Sequence, residues 1–252
     1  MRAEATEAFM EYPIKGFIET SFSDWPGRVV AVLFLPSCNF RCRYCHNHGL
    51  VLHPEQFPNV PLAEIRAEIR KRRGWIDGIC ISGGEPTLHP WLPDLIAQLR
   101  SDPSLTPSGG PLPVKIDTNG SRPAVLRGLI EAGLLDAVAM DLKGPLEKER
   151  YSAIAGVTLK EEDLAAIQAS IDLLLWGTID SEFRTTVVPS LLPEEEIYRM
   201  AQTLQGARRY TLQNFSPLDP LDPTLRQLAP MEAKDLKRMQ ERVNEVIRIG
   251  RA

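Results

Sequence analysis

The chain has 252 residues, of which 43% are hydrophobic and 25% charged, and its formal net charge is −4. The slight acidity argues against a nucleic-acid partner, since phosphate binding usually shows as a basic excess. Residues 1–13 lack the apolar run of a signal peptide, and no stretch reaches the roughly 18 apolar residues of a membrane span. We therefore expect a cytoplasmic protein with reduced thiols and no membrane partner.

Short apolar runs alternate with helical patterns along the chain. A strand near Gly16–Thr20 is followed by the turn residues Trp25-Pro26-Gly27, which predict a hairpin to the buried strand Val29–Leu35. The patterns that follow predict, in chain order, helix Leu62–Arg73, strand Gly78–Ser82, helix Leu92–Leu99, strand Val114–Asp117, helix Pro123–Leu135, strand Ala137–Leu142, helix Asp163–Trp176, strand Ser181–Val188, helix Glu194–Leu204, strand Arg209–Gln213 and helix Met231–Ile249.

About six strand–helix units in series predict an α/β fold with a parallel sheet and right-handed crossovers. A complete eight-stranded barrel usually takes about 250 residues. Here the N-terminal hairpin and the proline-rich segment Ser216–Pro230 use part of the length. We therefore expect an incomplete (β/α)6 TIM-like barrel with an N-terminal β-hairpin extension and a C-terminal helix. A flat doubly wound sheet is the alternative.

Polar residues gather where the predicted strands end, which is where such folds build their sites. Arg184 is a charged residue within a strand pattern, so we expect it to face the barrel lumen. The polar groups at the strand ends are Pro36–Cys45, Gly83–Pro86, Asp117–Gly120, Asp141–Lys143 and Gln213–Asn214.

Three of the four cysteines share one short loop with the spacing C-x3-C-x2-C: Cys38, Cys42 and Cys45. A disulfide would leave one thiol unpaired in a reducing compartment. A zinc site could add His46 or His48, but structural zinc sites usually draw on two separated knuckles, and the sequence has no second C-x2-C. A [4Fe-4S] cluster normally takes four thiolates, so three would leave one iron open for a ligand. Cys80 lies in the middle of a predicted strand and is expected to be a small buried hydrophobe.

The loop CNFRCRYC resembles the cluster loop of radical S-adenosylmethionine (SAM) enzymes, and Ser82–Leu88 (SGGEPTL) resembles the second motif of that family. The stretches FSDWPGRVVAVLFLPSCNFRCRYCHN, KIDTNG, AMDLKG, YSAIAG and FRTTVVP occur in the order seen in activating enzymes of glycyl-radical enzymes. The resemblance is closest to the activating proteins of anaerobic ribonucleoside-triphosphate reductase. It spans roughly residues 16–217, so we expect residues 1–252 to form one radical SAM domain that ends in a loop and helix at 218–252.

The resemblance implies that Cys38, Cys42 and Cys45 bind three irons of a single [4Fe-4S] cluster and that SAM chelates the fourth. An electron from flavodoxin or ferredoxin would cleave SAM to methionine and a 5′-deoxyadenosyl radical, which would take a hydrogen from a glycine Cα of the partner enzyme. Glu85 is expected to accept a hydrogen bond from the SAM ammonium or to brace its turn, and the glycines before it to let the backbone approach SAM. The residues that this resemblance places around SAM are Tyr44, His46, Gly83, Gly84, Glu85, Asp141 and Lys143. In the lumen, Arg184 is expected to pair with SAM or with a carboxylate.

Two further expectations come from pyruvate formate-lyase activase. Asp117, Thr118, Met140 and Asp141 match the residues that hold a monovalent cation there, with the methionine offering its backbone carbonyl. Where that enzyme has a SAM-contacting histidine, TLQNFSP offers Gln213 or Asn214, which favours the reductase-activase subgroup. The alternative functions are a single-cluster radical SAM enzyme acting on a small molecule, as in deazapurine synthesis, and a zinc-binding structural module.

Overall fold

A computed structural model describes residues 11–106 and 110–249. Within these residues seven strands form one sheet whose spatial order is the chain order. The first pair is antiparallel and the other pairs are parallel. The strands are β1 (Gly16–Ser21), β2 (Val30–Leu35), β3 (Gly78–Gly83), β4 (Val114–Thr118), β5 (Ala137–Asp141), β6 (Asp180–Val187) and β7 (Tyr210–Asn214).

Eight α-helices occur in the same described ranges. Five of them were predicted to within two residues at each end, and a sixth, α4, was predicted but ends four residues earlier than expected. They are α1 (His48–Leu52), α2 (Leu62–Lys71), α3 (Leu92–Arg100), α4 (Pro123–Glu131), α5 (Lys148–Ala155), α6 (Glu161–Trp176), α7 (Glu194–Thr203) and α8 (Ala233–Arg248). The sequence patterns did not predict α1 or α5. In the part of the chain covered by the structure, none of the helices combines the length and apolar character needed to cross a membrane.

The strand order decides between the two predicted architectures. A doubly wound sheet reverses its strand order at a switch point, whereas β2 to β7 here follow one another without reversal. The prediction of an incomplete barrel with a hairpin extension and a C-terminal helix is therefore confirmed. In the described residues β1 pairs with β2 and β7 with β6, so the two edge strands do not close the barrel.

Alternate side chains of the strands pack into two separate clusters. The larger one lies between the sheet and its helices and includes Leu33 and Leu35 of β2. The smaller one lies in the lumen, where Val32 and Cys80 pack near Trp25 of the hairpin turn. Cys80 is fully buried there, as expected for a small hydrophobe. The lumen-facing side of the strands also carries charges, which lead towards the carboxyl ends of the sheet.

Candidate active site

A cavity of about 400 Å³ lies at the carboxyl ends of the strands. It brings together nearly all of the residues that the sequence singled out. Those that line it are Cys38, Cys42, Tyr44, Cys45, His46, Gly83, Gly84, Glu85, Asp117, Thr118, Asp141, Lys143, Gln213 and Asn214. Of the predicted site residues, Arg184 and Met140 are absent from the described lining, because Arg184 lies behind Asp141 and Met140 is buried in the larger core.

The cysteine loop places three thiols in this cavity. The Cys45 N–H donates to the carbonyl of Cys42 (2.9 Å), and the Phe40 N–H donates to Cys38 Sγ (3.3 Å). Burial raises the pKa of the Cys38 and Cys42 thiols to about 11 and also raises that of Cys45. The unloaded thiols are therefore protonated at neutral pH, and binding of a metal group must release protons.

The glycine motif after β3 is the first support of the loop. The Gly84 and Glu85 N–H groups donate to the carbonyls of Leu35 and Ser37, each at 2.8 Å. A Cβ on Gly84 would lie 1.7 Å from the Ser37 carbonyl oxygen, and one on Gly83 would lie 2.5 Å from the backbone of Leu35. In the structure, the atoms that a side chain at either glycine would meet belong to the cysteine loop and the strand before it. The approach of this backbone to SAM stays a prediction.

Glu85 is buried beneath that motif and only 1% exposed. One carboxylate oxygen accepts hydrogen bonds from the N–H (3.1 Å) and hydroxyl of Thr87 and from the hydroxyl of Thr118 (2.7 Å). The other accepts from the Asn119 N–H (2.7 Å). Burial raises the pKa of Glu85 in spite of these donors. Of the two roles expected for Glu85, the geometry supports the bracing of the turn rather than contact with a ligand.

Helix α5 is the second support and was missed by the sequence analysis. The Arg41 N–H donates to the carbonyl of Ala155 (2.7 Å), and a Cβ on Gly156 would lie 2.0 Å from the Arg41 oxygen. Gly156 has φ +68°, which ends the helix in the left-handed conformation. Tyr151 accepts a hydrogen bond from the Lys143 N–H (3.3 Å). The glycine that closes YSAIAG was the available signal for a helix ending against the loop.

The third support comes from the proline-rich segment near the C-terminus. The Leu221 and Asp222 N–H groups donate to the carbonyls of Cys45 (3.1 Å) and Arg43 (2.8 Å). The Arg43 guanidinium also pairs with the Asp222 carboxylate at 2.6 Å. Hydrogen bonds from Thr224, joined by Arg43, hold the pKa of Asp222 down to about 2. A segment predicted only to be irregular is therefore bonded directly to the cysteine loop.

Five charged side chains alternate in sign along the lumen and end at the cavity. Lys115 pairs with Asp117, and Asp117 with Arg184 (3.2 Å). Arg184 then pairs with Asp141 (2.9 Å), and Asp141 with Lys143 (3.2 Å). Arg184 faces the lumen as predicted, but its partners are carboxylates of the protein itself. Of the two partners expected for Arg184, SAM or a carboxylate, the geometry supports a carboxylate.

Asp141 and Lys143, the two charged residues of this series that line the cavity, are both ionised at neutral pH. Burial alone would raise the pKa of Asp141, but the cations of Arg184 and Lys143 hold it down to about 2. Burial alone would lower the pKa of Lys143, but the Asp141 carboxylate raises it well above the ordinary range. The cavity wall therefore presents a carboxylate and an ammonium side by side.

The residues expected to hold a cation are already engaged by other protein groups. The Asp117 oxygens face Lys115 and Arg184, and the Thr118 hydroxyl donates to Glu85. In residues 11–106 and 110–249, no three His, Cys, Asp or Glu side chains are arranged around a position for a single metal ion. The monovalent cation stays a prediction, and the zinc alternative gains no support from the described geometry.

The remaining predicted residues differ in exposure. Tyr44 is 7% exposed, and burial raises its pKa well above the ordinary value, so the phenol is neutral. His46 and Gln213 are exposed. The Asn214 side chain is bonded to the backbone of Met231 through both its amide nitrogen (2.7 Å) and its oxygen (3.1 Å). This pairing favours Gln213 over Asn214 as the residue that contacts a ligand.

Comparisons with known proteins agree with this arrangement. The model of the Radical SAM superfamily matches residues 32–201. A Methanocaldococcus jannaschii protein named "Putative glycyl-radical enzyme activating enzyme" is 33% identical over 231 residues, which cover 91% of each chain. A Thermococcus kodakarensis protein named "Probable GTP 3',8-cyclase" is 28% identical and is aligned over 81% of this chain and 67% of its own.

Solved structures share the fold at low sequence identity. A radical SAM methyltransferase from Sphaerobacter thermophilus superposes with a TM-score of 0.63 at 14% identity, covering 90% of this chain and 66% of its own. Streptococcus suis SuiB bound to its precursor peptide superposes with a TM-score of 0.60 at 16% identity, covering 86% of this chain and 45% of its own. The chain thus spans about half the length of SuiB.

Proposed function

The chain belongs to the radical SAM superfamily, and we propose that it is an activating enzyme that generates a glycyl radical on a partner enzyme. Membership of the superfamily implies a [4Fe-4S] cluster and SAM. The observation that carries the finer proposal is the 33% identity, over 91% of both chains, to a relative named as an activating enzyme. The three-thiol cavity beside an open sheet edge supports it.

The residues present fit such a cluster. Cys38, Cys42 and Cys45 line one cavity, while Cys80 lies in the lumen beside Lys115 (3.7 Å). A cluster held by the three loop thiolates would supply the electron that cleaves SAM into methionine and a 5′-deoxyadenosyl radical. The protein's part is to hold the loop rigid, and its three supports do so through backbone contacts.

The charged wall of the cavity suits the amino-acid end and the ribose of SAM. The alternating series contains three cations and two carboxylates, so it carries an excess positive charge that ends at Lys143. We assign Lys143 to the SAM carboxylate and Asp141 to the ribose hydroxyls, because charge-assisted hydrogen bonds are the strong ones. Tyr44 and His46 are assigned to the adenine side, and Gln213 to the cavity mouth.

The open barrel leaves a route for a folded partner. β7 is an edge strand, and Gln213 and Asn214 at its end are exposed beside the cavity. A loop of the partner that carries the target glycine could reach the cavity past this edge, which a closed barrel would obstruct. On the sequence resemblance, we propose anaerobic ribonucleoside-triphosphate reductase as the partner, flavodoxin or ferredoxin as the electron donor, and the cytoplasm as the location.

The test uses the full-length protein reconstituted with iron and sulfide in the absence of oxygen. With SAM and a strong reductant, 5′-deoxyadenosine should be released, and addition of the reductase should give the electron paramagnetic resonance doublet of a glycyl radical. The matched control is a reductase whose target glycine is replaced by alanine, which should give no doublet. Cleavage of SAM that is stimulated by GTP but yields no glycyl radical would overturn the proposal in favour of a small-molecule enzyme.

A further inference from the structure

Asn119, which follows β4, contacts a cysteine of the cluster loop. Its amide nitrogen Nδ2 lies 3.8 Å from Cys38 Sγ and 2.9 Å from Asn39 Oδ1. The residue is 5% exposed and lines the cavity. The sequence analysis quoted it within KIDTNG but gave it no role.

The orientation of this amide is fixed by its other contacts. Asn119 Oδ1 accepts a hydrogen bond from the Ser121 N–H (2.9 Å), and the Asn119 N–H donates to Glu85 (2.7 Å). Asn39 is held in turn, because its Nδ2 donates to the Ser121 hydroxyl (2.9 Å). A flipped Asn119 amide would bring its oxygen against Asn39 Oδ1 and its nitrogen against the Ser121 N–H, so the network assigns Nδ2 to the side of Cys38.

The two hydrogens of Nδ2 therefore have separate acceptors. One points to Asn39 Oδ1 and the other to Cys38 Sγ. The Phe40 N–H points to the same sulfur from 3.3 Å. Cys38 thus accepts from two directions. Hydrogen bonds to cluster sulfurs favour the reduced, more negative state and so raise the reduction potential.

We propose that Asn119 is a positioning residue that donates to the Cys38 thiolate and raises the reduction potential of the cluster bound there. The proposal rests on the proposed function in one respect, which is that Cys38 is a cluster ligand. It also explains the burial of Glu85, whose carboxylate fixes the backbone of Asn119 and so aims the amide at the sulfur.

The experiment is a redox titration of the reconstituted protein, followed by electron paramagnetic resonance of the reduced cluster, without SAM or partner. Asn119→Asp keeps the shape and can still accept from Ser121, but it turns an oxygen towards Cys38. Asn119→Ser removes the amide nitrogen beside Cys38 Sγ without adding charge, and its hydroxyl is one bond too short to take the place of that nitrogen. Asn59→Asp is the matched control, because it adds the same charge at an exposed position outside the cavity lining.

We expect the midpoint potential to become more negative in Asn119→Asp, less so in Asn119→Ser, and to stay unchanged in Asn59→Asp, at equal iron and sulfide content. Unchanged potentials in both Asn119 variants would overturn the proposal. If Asn119→Asp fails to retain a cluster, the result with Asn119→Ser decides. Wild-type protein that takes up no cluster would instead reject the proposed function, so the two failures are distinguishable.

Discussion

The two faces of the central strands are stabilised by different interactions, apolar packing on one face and paired charges on the other. Towards the helices, Ile116, Met140 and Phe183 are fully buried in one apolar cluster. Towards the lumen, the neighbouring positions are Lys115, which is 2% exposed, and Arg184, whose side chain is 12% exposed, yet both are charged and paired with carboxylates. The outer face needs shape and volume, which similar apolar residues can supply. The lumen face needs complete pairing, because removal of one partner leaves a buried charge uncompensated.

This difference locates the chemistry. The lumen series leads from the interior to Asp141 and Lys143 in the cavity. The cysteine loop lines the same cavity as these two residues and is held by three separate parts of the chain. We therefore compare substitutions in the cysteine loop or among the lumen charges with substitutions at nearby residues that only pack or lie outside the cavity. The comparison should separate effects on function from effects on packing.

The largest contrast lies between the loop cysteines and the lumen cysteine. Cys42→Ala should abolish both the iron-dependent absorbance and the release of 5′-deoxyadenosine, since two thiolates cannot replace three. Cys80→Ala should retain both, because Cys80 is fully buried beside Val32 and away from the cavity. Iron and sulfide analysis of both variants checks this. Loss of the cluster in Cys80→Ala would require a four-thiolate site.

The next contrast pairs Arg184 with its neighbour Phe183, which faces the helices. Arg184→Met should lower the free energy of unfolding by about 3 kcal/mol, because Asp117 and Asp141 each lose a cation while keeping a lysine. Phe183→Leu should cost less than about 1.5 kcal/mol, as a substitution of similar volume. Urea denaturation measures both, and a loss in Arg184→Met no larger than that in Phe183→Leu would contradict the special cost of unpairing the lumen charges.

The stability difference between wild type and Arg184→Met should depend on pH in a definite direction. Arg184 and Lys143 hold the pKa of Asp141 down to about 2, whereas an unfolded aspartate has a pKa of about 3.9. A depressed pKa stabilises the fold above the unfolded value, and that stabilisation is lost as the pH falls through the folded value. The difference between wild type and Arg184→Met should therefore narrow between about pH 4 and pH 2. A constant difference would place the loss in packing.

Much of this could be read from the sequence, and the omissions share a cause. Strand ends are local patterns, so the polar segments around the cavity could be predicted from the sequence, and the family resemblance singled out individual residues within them. Arg184 was placed in the lumen correctly, but its partners come from β4 and β5 and depend on register, which local patterns do not give. The bonds from Leu221 and Asp222 to the cysteine loop join residues far apart in the chain, and α5 was hidden in a stretch read only as a motif.

The next prediction concerns Glu85, the buried carboxylate that joins the turn after β3 to the end of β4. Glu85→Gln replaces one acceptor oxygen by an NH2 group that must meet the Asn119 N–H or the donors of Thr87. We expect a loss of about 2 kcal/mol in the free energy of unfolding, since a buried donor is left without an acceptor. The exposed Glu55→Gln is the control and should change stability little. Thermal or urea unfolding of the two variants provides the measurement, and similar curves for both would contradict the bracing role.

The smallest contrast concerns two adjacent residues at the end of β7. The Gln213 side chain lines the cavity and makes no hydrogen bond within the described part of the chain, whereas the Asn214 amide is bonded to Met231. Gln213→Ala should leave stability unchanged and weaken SAM binding about three- to tenfold, the value of one neutral hydrogen bond. Asn214→Ala should lower stability and leave SAM binding unchanged, because it removes the hydrogen bonds to the segment before α8 but not the contact with the ligand. SAM titration and urea denaturation of both variants resolve the pair. If Asn214→Ala weakened SAM binding more than Gln213→Ala, the contact would have to be reassigned to the residue whose amide the fold already uses.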